Sequence, residues 1–305
     1  MFLKLYKNLG FFYNIIYMNN KFPYIKITKK ERDDSFDILK NYNCANVLTL
    51  SSIGNKASNY YFQSYRVKTK TGKWSQYERW KNNPDKIREI DKKIHRNYPQ
   101  IIGTQRGLLS ALRMSGHSVS QFKPYIAICG VYETFKPKRV LDPSAGWGDR
   151  LIAAMSQDID YIGIDQNKKL KVPYTRMIND FKDKTKSDII MIFKRSQDVD
   201  YSKLPKYDLI FTSPPYFNLE QYEGMEVFKD KDDFLDNYWR PTILNSFKYL
   251  EKGGHLALNI PDEMYNAIKK NIGRASGKII MPLQNRFNYK KENIKKFEYI
   301  YYWKK

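Results

Sequence analysis

From Arg139 onward, short apolar runs alternate with longer helical stretches, and this alternation constrains the fold more than any other feature of the 305-residue chain. Strands are predicted at 140–141, 161–164, 189–193, 209–211 and 255–260, with helices over about 149–157, 168–184 and 234–250 between them. Such alternation is typical of βαβ units, which build a parallel sheet with helices on both faces. The sequence therefore predicts an α/β fold with at least five parallel strands.

The end of the chain departs from this alternation. Residues 278–283 and 297–303 have strand-like composition rich in Ile, Tyr and Phe. The lysine-rich link 284–296 is too short for a comfortable crossover helix, so an antiparallel strand pair is the simpler interpretation. We therefore expect a seven-stranded, Rossmann-like sheet that ends in an antiparallel pair.

The positive charge is concentrated in the flanks of the chain. The net charge is +22, of which residues 1–100 carry +12, residues 101–262 carry +2 and residues 263–305 carry +8. A mutational bias toward lysine would spread over the whole chain, whereas this distribution favours a polyanionic partner that contacts the flanks. A solvated basic face is the alternative.

The two cysteines, Cys44 and Cys129, have no metal-like spacing and predict neither a disulfide framework nor a zinc site. The expected location is therefore the cytoplasm or another reducing compartment that contains nucleic acid, and no metal site is expected. Residues 1–18 are apolar and aromatic but too short and interrupted for a membrane span, and they lack a clear signal-peptide cleavage site. We expect no membrane association.

Two segments at predicted strand ends carry the chemistry. The first, residues 142–148 (DPSAGWG), follows the first strand, and its glycines allow a tight turn and close approach to a ligand. Asp165, 17 residues after Gly148, ends the second strand, where an acid can bind ribose hydroxyls or simply cap a helix. The second segment, residues 213–216 (SPPY), follows the fourth strand. Its prolines fix the backbone and expose carbonyl acceptors beside a serine hydroxyl and a tyrosine ring.

Together these residues resemble the amino-methylating DNA methyltransferases, which transfer a methyl group from S-adenosylmethionine to N4 of cytosine or N6 of adenine. The resemblance covers about residues 118–262 and implies the class I methyltransferase fold. It implies that the cofactor site includes Asp142, Pro143, Ser144, Ala145, Gly146, Gly148, Asp165, Asp198 and Phe122. It also implies that Ser213, Pro214, Pro215 and Tyr216 form the catalytic segment. Ser213 Oγ and the Pro214 carbonyl would accept the N–H groups of the target amine, and Tyr216 would stack on a base flipped out of the duplex.

The sequence departs from this family at two places. Ser144 stands where the family usually has phenylalanine, so another side chain, such as Trp147, must cover that side of the cofactor. Asp149 and Arg150 replace a pair of small hydroxyl residues. Carbon-5 methylation is excluded because it needs a cysteine nucleophile next to a proline in the segment 213–216, and neither Cys44 nor Cys129 lies there.

Several alternatives remain open on the sequence. The serine of residues 213–216 favours cytosine N4 over adenine N6. An RNA or protein-amide methyltransferase is the runner-up, and an inactive nucleic-acid-binding subunit is a further possibility. We assign residues 1–100 as a basic N-terminal region and 101–305 as the methyltransferase domain. Target recognition is expected in residues 19–100, in the loop 217–233 or in the link 284–296, with the N-terminal region preferred for its size and charge.

Overall fold

The second half of the chain forms one seven-stranded sheet in the computed structural model, which describes residues 21–44, 51–217, 226–282 and 297–305. In chain order the strands are β1 (Lys70–Thr71), β2 (Trp74–Ser75), β3 (Arg139–Asp142), β4 (Asp160–Ile164), β5 (Ile189–Ile192), β6 (Leu209–Thr212), β7 (His255–Asn259), β8 (Gly277–Pro282) and β9 (Phe297–Lys304). The first two form a separate antiparallel hairpin.

The order across the large sheet is β5-β4-β3-β6-β7-β9-β8. Strands β3 to β7 pair in parallel, whereas β9 runs antiparallel to both β7 and β8. This arrangement confirms the predicted α/β sheet with five parallel strands and a closing antiparallel pair. It is the sheet of the class I methyltransferase fold.

Helices connect β3 to β4, β4 to β5 and β6 to β7, as the predicted βαβ pattern requires, whereas two 3₁₀ turns, Ser196–Asp198 and Tyr201–Lys203, join β5 to β6. The bounds of the helices are Asp149–Ser156 after β3, Lys171–Phe181 after β4, Lys231–Phe234 and Arg240–Tyr249 on either side of a π-helical turn Leu235–Trp239 after β6, and Asp262–Ile272 after β7. A helix with a central π-helical stretch, Pro124–Ile126, Ala127–Tyr132 and Glu133–Phe135, leads into β3. The predicted helix 168–184 is built from Lys171–Phe181 with a short 3₁₀ turn at each end.

The sheet supplies the core of its unit. Leu141 on β3, Ile162 on β4, Ile210 on β6 and Leu258 on β7 are fully buried, as expected for strands covered on both faces. Burying each such side chain stabilises the fold by roughly 1.5–3 kcal/mol. The rigid strands therefore fix where their carboxyl ends, and the loops that follow them, lie.

Contacts divide the described chain into two units whose boundary differs from the one expected at residue 100. Residues 27–62 group with the sheet, and residues 21–26 and 63–120 form the other unit. Within the sheet unit, helix Lys29–Lys40 is held by stacking of Phe36 on Phe181, with ring centroids 4.4 Å apart, and by Gln157 Nε2 donating to the Leu39 carbonyl at 2.9 Å.

The other unit is small and helical. It contains the β1–β2 hairpin and the helices Gln76–Asn82, Pro84–Ile94 and Gln105–Met114. It also includes residues 63–66, the last turn of helix Asn55–Arg66. Its apolar cluster includes Phe22, Trp80, Ile87, Leu108 and Leu112. Residues 63–120 carry a net charge of +9, whereas residues 27–62 carry +1, so the basic surplus of the N-terminal region falls mainly in this unit.

The expectation that the cysteines are unpaired is wrong. Cys44 and Cys129 form a disulfide, with their Cα atoms 5.3 Å apart. They are 85 residues apart in sequence, and the fold of the sheet unit brings the two segments together, which sequence spacing could not reveal. The reducing compartment inferred from unpaired thiols therefore loses that support.

Three expectations concern segments outside the described residues. These are the apolar stretch 1–18, residues 218–225 of the loop 217–233 and the basic link 284–296. Among the residues that are described, no helix combines the length and the apolar composition needed to cross a membrane. In the same ranges, no cluster of His, Cys, Asp and Glu side chains is arranged to hold a metal ion.

Candidate functional site

Three of the segments named from the sequence, residues 142–148, Asp165 and residues 213–216, lie at the carboxyl edge of adjacent parallel strands. Leu141 on β3 is paired with Ile210 on β6, and Asp142 is paired with Gly163 on β4. Because neighbouring strands lie about 4.8 Å apart, the segments that leave β3, β4 and β6 emerge side by side. In α/β sheets this edge is where ligands bind.

The segment 142–148 is a tight glycine turn between β3 and the helix Asp149–Ser156. Gly146 and Gly148 have φ values of 64° and 73°, which side chains with a Cβ rarely adopt. A Cβ on Gly148 would meet Phe62 at 2.6 Å, whereas a Cβ on Gly146 would have only the Ser144 carbonyl nearby, at 3.8 Å. Gly148 is therefore needed for packing, and Gly146 faces open space.

Beneath this turn lies a buried ion pair that sequence reasoning missed. Arg150 Nε lies 2.6 Å from Asp142 Oδ2, and the side chains are 5% and 0% exposed. The Tyr161 hydroxyl donates to the same Asp142 oxygen at 2.5 Å, and Arg150 Nη2 also donates to the Ser144 carbonyl. The Asp142 side chain is thus committed to the interior, so only its backbone is left for ligand contact. The sequence signal for this ion pair was Arg150 itself, an unusual residue two positions after Gly148.

Asp165 braces the glycine turn from the end of β4. Its Oδ2 accepts the backbone N–H of Gly146 at 2.9 Å, and its Oδ1 accepts that of Asn167 at 2.8 Å. Burial raises the pKa of Asp165 to about 6, although both hydrogen bonds act in the opposite direction. Each carboxylate oxygen has a second lone pair available for a ligand hydroxyl.

The Ser144 side chain is contacted by an aromatic residue from a distant part of the sequence. Ser144 Oγ and the Tyr238 hydroxyl lie 2.8 Å apart. Tyr238 belongs to the π-helical turn Leu235–Trp239, and its ring packs against Phe234 and Phe228. Turns of this kind occur often at functional sites. A ring from this turn therefore lies beside Ser144, and the expectation that Trp147 covers that side stays a prediction.

The segment after β5 is held against the glycine turn. Ser196 Oγ donates to the Pro143 carbonyl, and the Tyr201 hydroxyl donates to the Ser196 carbonyl at 3.0 Å. Asp198 follows in the same 3₁₀ turn, where Arg195 Nε donates to its carboxylate at 2.5 Å. The carboxylate of Asp198 is 44% exposed, so it remains accessible to a ligand beside its partner.

Residues 213–216 leave β6 as the sequence predicts. Ser213 is half-buried, and its hydroxyl donates to Asn259 Oδ1 at 3.0 Å. Pro214 is buried, and the Tyr216 ring packs at the margin of the core that contains Phe234. Asn259, to which the sequence assigns no role in the site, is thus a direct neighbour of Ser213. Nothing in the local sequence indicated this contact.

Phe122 lies in front of the helix that leads into β3. Its ring packs edge-on against Phe211 on β6, with centroids 5.6 Å apart, and the Arg150 guanidinium lies 5.3 Å from its centroid. Phe122 therefore touches both the strand before Ser213 and the ion pair under the glycine turn.

These residues fit a nucleoside cofactor. The space in front of Gly146 is open, so the loop backbone can be approached closely, and Asp165 offers acceptors for two adjacent hydroxyls. Nearby acids and aromatic rings can contact an amine and a planar base. The donor set contains no arrangement that calls for a metal in the described part of the chain.

No protein-family model and no curated protein sequence matches this chain. Among solved structures it resembles TrmN from Thermus thermophilus, with 16% identity over 60% of this chain and 49% of that chain and a TM-score of 0.43. This chain thus matches about half the length of TrmN. It also resembles the N-methyltransferase NodS from Bradyrhizobium japonicum, with 13% identity, coverage of 59% and 93%, and a TM-score of 0.39.

A third similar structure is SMU.1697c from Streptococcus mutans in complex with SAH, with 12% identity, coverage of 55% and 89%, and a TM-score of 0.35. Similarity at this level concerns architecture and leaves the substrate open. The strand order and the parallel and antiparallel pairings establish that this chain has the Rossmann-like fold of the class I methyltransferases.

Proposed function

We propose that this chain transfers a methyl group from S-adenosylmethionine to an exocyclic amine of a flipped DNA base. One observation carries the proposal. The glycine turn after β3 and the Ser213–Tyr216 segment after β6 leave neighbouring parallel strands at the same edge, with Leu141 paired to Ile210. A cofactor on the first segment would therefore lie beside an amine held by the second.

The cofactor would be held mainly by backbone and by one acid. The turn 142–148 would contact the methionine part through its main chain, because the Asp142 side chain is buried in its ion pair. Asp165 would accept the ribose hydroxyls. Asp198 and Phe122 are further proposed contacts, supported by the bond between Ser196 and Pro143 and by the packing of Phe122 on Phe211.

When bound, S-adenosylmethionine supplies a methyl group on a positively charged sulfur. The protein's own contribution is to position and activate the amine, whose lone pair is delocalised into the base ring. Ser213 Oγ and the Pro214 carbonyl would accept its two N–H groups and so favour a pyramidal nitrogen with its lone pair available. Serine is too weak a base to remove a proton first, so the methyl group would pass from sulfur to the neutral amine, and the methylated nitrogen would then release a proton to solvent.

Tyr216 would stack on the target base next to the acceptor pair. A base paired inside a duplex cannot reach this segment, so it must first be flipped out, which costs a few kcal/mol in lost stacking and pairing. The basic unit 63–120, with its net charge of +9, offers the electrostatic attraction that a phosphate backbone requires.

Cytosine N4 is the proposed target atom, because a serine at the first position of residues 213–216 resembles the cytosine-N4 methyltransferases more than the adenine-N6 ones. Incubation with labelled S-adenosylmethionine and DNA or RNA, followed by nucleoside mass spectrometry, tests the substrate and the base together. N4-methylcytosine in DNA supports the full proposal. N6-methyladenine corrects the base, and label in RNA corrects the nucleic acid. Label in protein alone, or no label despite SAH binding, overturns the proposal in favour of an amide methyltransferase or an inactive binding subunit.

A further inference from the structure

Ser213 has to direct a lone pair, and not its hydroxyl hydrogen, at the target amine. A hydroxyl has one hydrogen to donate and two lone pairs that accept, and only its lone pairs can hold an N–H group of the target. A serine free to rotate would spend part of its time pointing its own hydrogen at the amine nitrogen. That orientation would engage the very lone pair that the reaction needs.

Asn259 determines the direction in which the Ser213 hydroxyl points. Ser213 Oγ donates to Asn259 Oδ1 at 3.0 Å, so its single hydrogen is already used. Both remaining lone pairs of the oxygen are then available to a ligand. Ser213 is half-buried, whereas Asn259 is 4% exposed, so little water competes for the bond between them.

The orientation of the Asn259 amide is fixed in turn by the C-terminal strand. Asn259 Nδ2 donates to the Tyr299 carbonyl on β9 at 3.2 Å. A carbonyl can only accept, so the NH₂ group must face Tyr299 and the amide oxygen must face Ser213. A flipped amide would place two acceptors against each other at Tyr299 and a donor against the serine.

Strand register places the three groups in line. Thr212 on β6 is paired with Leu258 on β7, so the next residues along the two strands, Ser213 and Asn259, are also neighbours. Asn259 is paired across the antiparallel ladder with Ile300, which brings the adjacent Tyr299 carbonyl within reach. The chain Tyr299–Asn259–Ser213 therefore runs from the C-terminal strand to the catalytic segment.

We propose that Asn259 is a positioning residue that holds Ser213 as a hydrogen-bond acceptor for the target amine. The inference rests on the proposed function, since it assigns a role within the same site. It also gives the antiparallel strand β9 a part in the chemistry. If Asn259 only satisfied polar groups at this end of the sheet, its loss would change the transfer rate equally with or without the Ser213 hydroxyl.

A double-mutant cycle separates these roles. Single-turnover methyl transfer is measured at saturating S-adenosylmethionine and nucleic acid for the wild type, Asn259→Leu, Ser213→Ala and the double variant. Leucine keeps the branching of asparagine at Cγ and removes both hydrogen-bonding groups. Each rate is divided by the concentration of protein that binds SAH, which corrects for any loss of folded protein. Asn271→Ala, on the exposed surface of helix Asp262–Ile272, is the matched control.

We expect Asn259→Leu to lower the rate about tenfold, the effect of one hydrogen bond, without changing SAH affinity. In the Ser213→Ala background the same substitution should change the rate less than twofold. Equal rate losses in both backgrounds, or no loss in the wild-type background, would overturn the positioning role and leave methyl transfer itself intact. Absence of transfer by wild-type protein to DNA and RNA would overturn the proposed function and this role with it.

Discussion

Arg150 and Asp142 form a buried ion pair directly under the glycine turn, with Arg150 Nε 2.6 Å from Asp142 Oδ2. The carboxylate also accepts a hydrogen bond from the Tyr161 hydroxyl, so its charge is compensated from two sides. The pair links the end of β3 to the first turn of the helix Asp149–Ser156. It therefore ties the end of β3 and the Ser144 carbonyl to the start of that helix.

Breaking this pair should destabilise the protein strongly. Arg150→Met removes the cation and leaves a carboxylate buried without its ionic partner, which typically costs about 3–5 kcal/mol. Urea unfolding followed by tryptophan fluorescence measures the loss. Adding Asp142→Asn to the Arg150→Met variant removes the buried charge that has lost its ionic partner and should restore part of the stability. A cost below about 1 kcal/mol for the single variant would show that Asp142 does not need its partner.

The two glycines of the turn should respond differently to substitution by alanine. Both require a left-handed backbone, which costs about 1–2 kcal/mol for alanine. Gly148→Ala should cost about 1–3 kcal/mol more, because its Cβ would meet Phe62 at 2.6 Å and Met177 at 3.0 Å. Gly146→Ala adds no such clash and should chiefly weaken SAH binding. Thermal unfolding and calorimetric titration with SAH distinguish the two effects, and identical profiles would contradict the assigned roles.

Cofactor affinity should depend on pH through Asp165. Burial raises the pKa of Asp165 to about 6, so the carboxylate that accepts the Gly146 N–H is lost as pH falls through 6. Between pH 7.5 and 5 the SAH dissociation constant should rise about tenfold. Calorimetric titration across this range measures it, with Asp165→Asn as a control that should bind weakly at every pH.

The same shift has a defined consequence for stability. The native state holds the Asp165 proton to higher pH than the unfolded chain does, so it binds more protons between about pH 4 and pH 6. The contribution of this group to stability therefore declines as pH rises through that window and is constant above it.

A pH-independent SAH affinity in the wild type would argue against a charged Asp165 in the site.

Removing the hydroxyl of Ser213 or the aromatic ring of Tyr216 should lower methyl transfer without weakening cofactor binding. Ser213→Ala is expected to lower kcat about 100-fold, by analogy with the loss of one preorganised polar group in other active sites. Tyr216→Ala should mainly weaken productive binding of the flipped base, since stacking on one aromatic ring is worth about 1–3 kcal/mol. Methyl transfer and SAH titration are measured on the same preparations. A parallel loss of SAH binding would indicate misfolding or a cofactor role instead.

The basic unit should supply nucleic-acid affinity. Lys81, Lys86 and Lys93 are exposed on or beside the helix Pro84–Ile94. Replacing all three with glutamine should weaken DNA binding at least tenfold and reduce the steepness of its salt dependence by about 0.9 for each phosphate that the protein no longer neutralises. SAH binding should not change. Fluorescence anisotropy at several salt concentrations measures both quantities.

The matched control replaces Lys203, Lys206 and Lys252 with glutamine. These exposed lysines precede β6 and β7, at the opposite edge of the sheet from the site. Equal weakening by the two triple variants would show a general charge effect rather than an interface on the basic unit. Deletion of residues 1–100 is a poorer test, because it also removes helix Lys29–Lys40, which packs in the sheet unit.

Much of the architecture followed from the sequence because its signals are local. Apolar β-branched runs predicted β3 to β7 to within two residues at each end, and the missing crossover helix predicted the antiparallel arrangement of β8 and β9. Parallel strands end at the same edge of a sheet. The positions of residues 142–148, Asp165 and 213–216 at that edge could therefore also be inferred once the strands were predicted. The helix Asp262–Ile272 was missed, although its apolar positions have helical spacing.

The partners of those residues were decided only by the tertiary structure. Ser213 and Asn259 are 46 residues apart, Ser144 and Tyr238 are 94 apart, and Cys44 and Cys129 are 85 apart. Periodicity describes which face of an element is buried, but contacts between elements depend on strand order, register and helix placement. The sequence by itself determined the sheet and the chemistry available at its edge. The packing of distant segments determined that Asp142 faces inward to Arg150 and that Ser213 donates its hydrogen to Asn259.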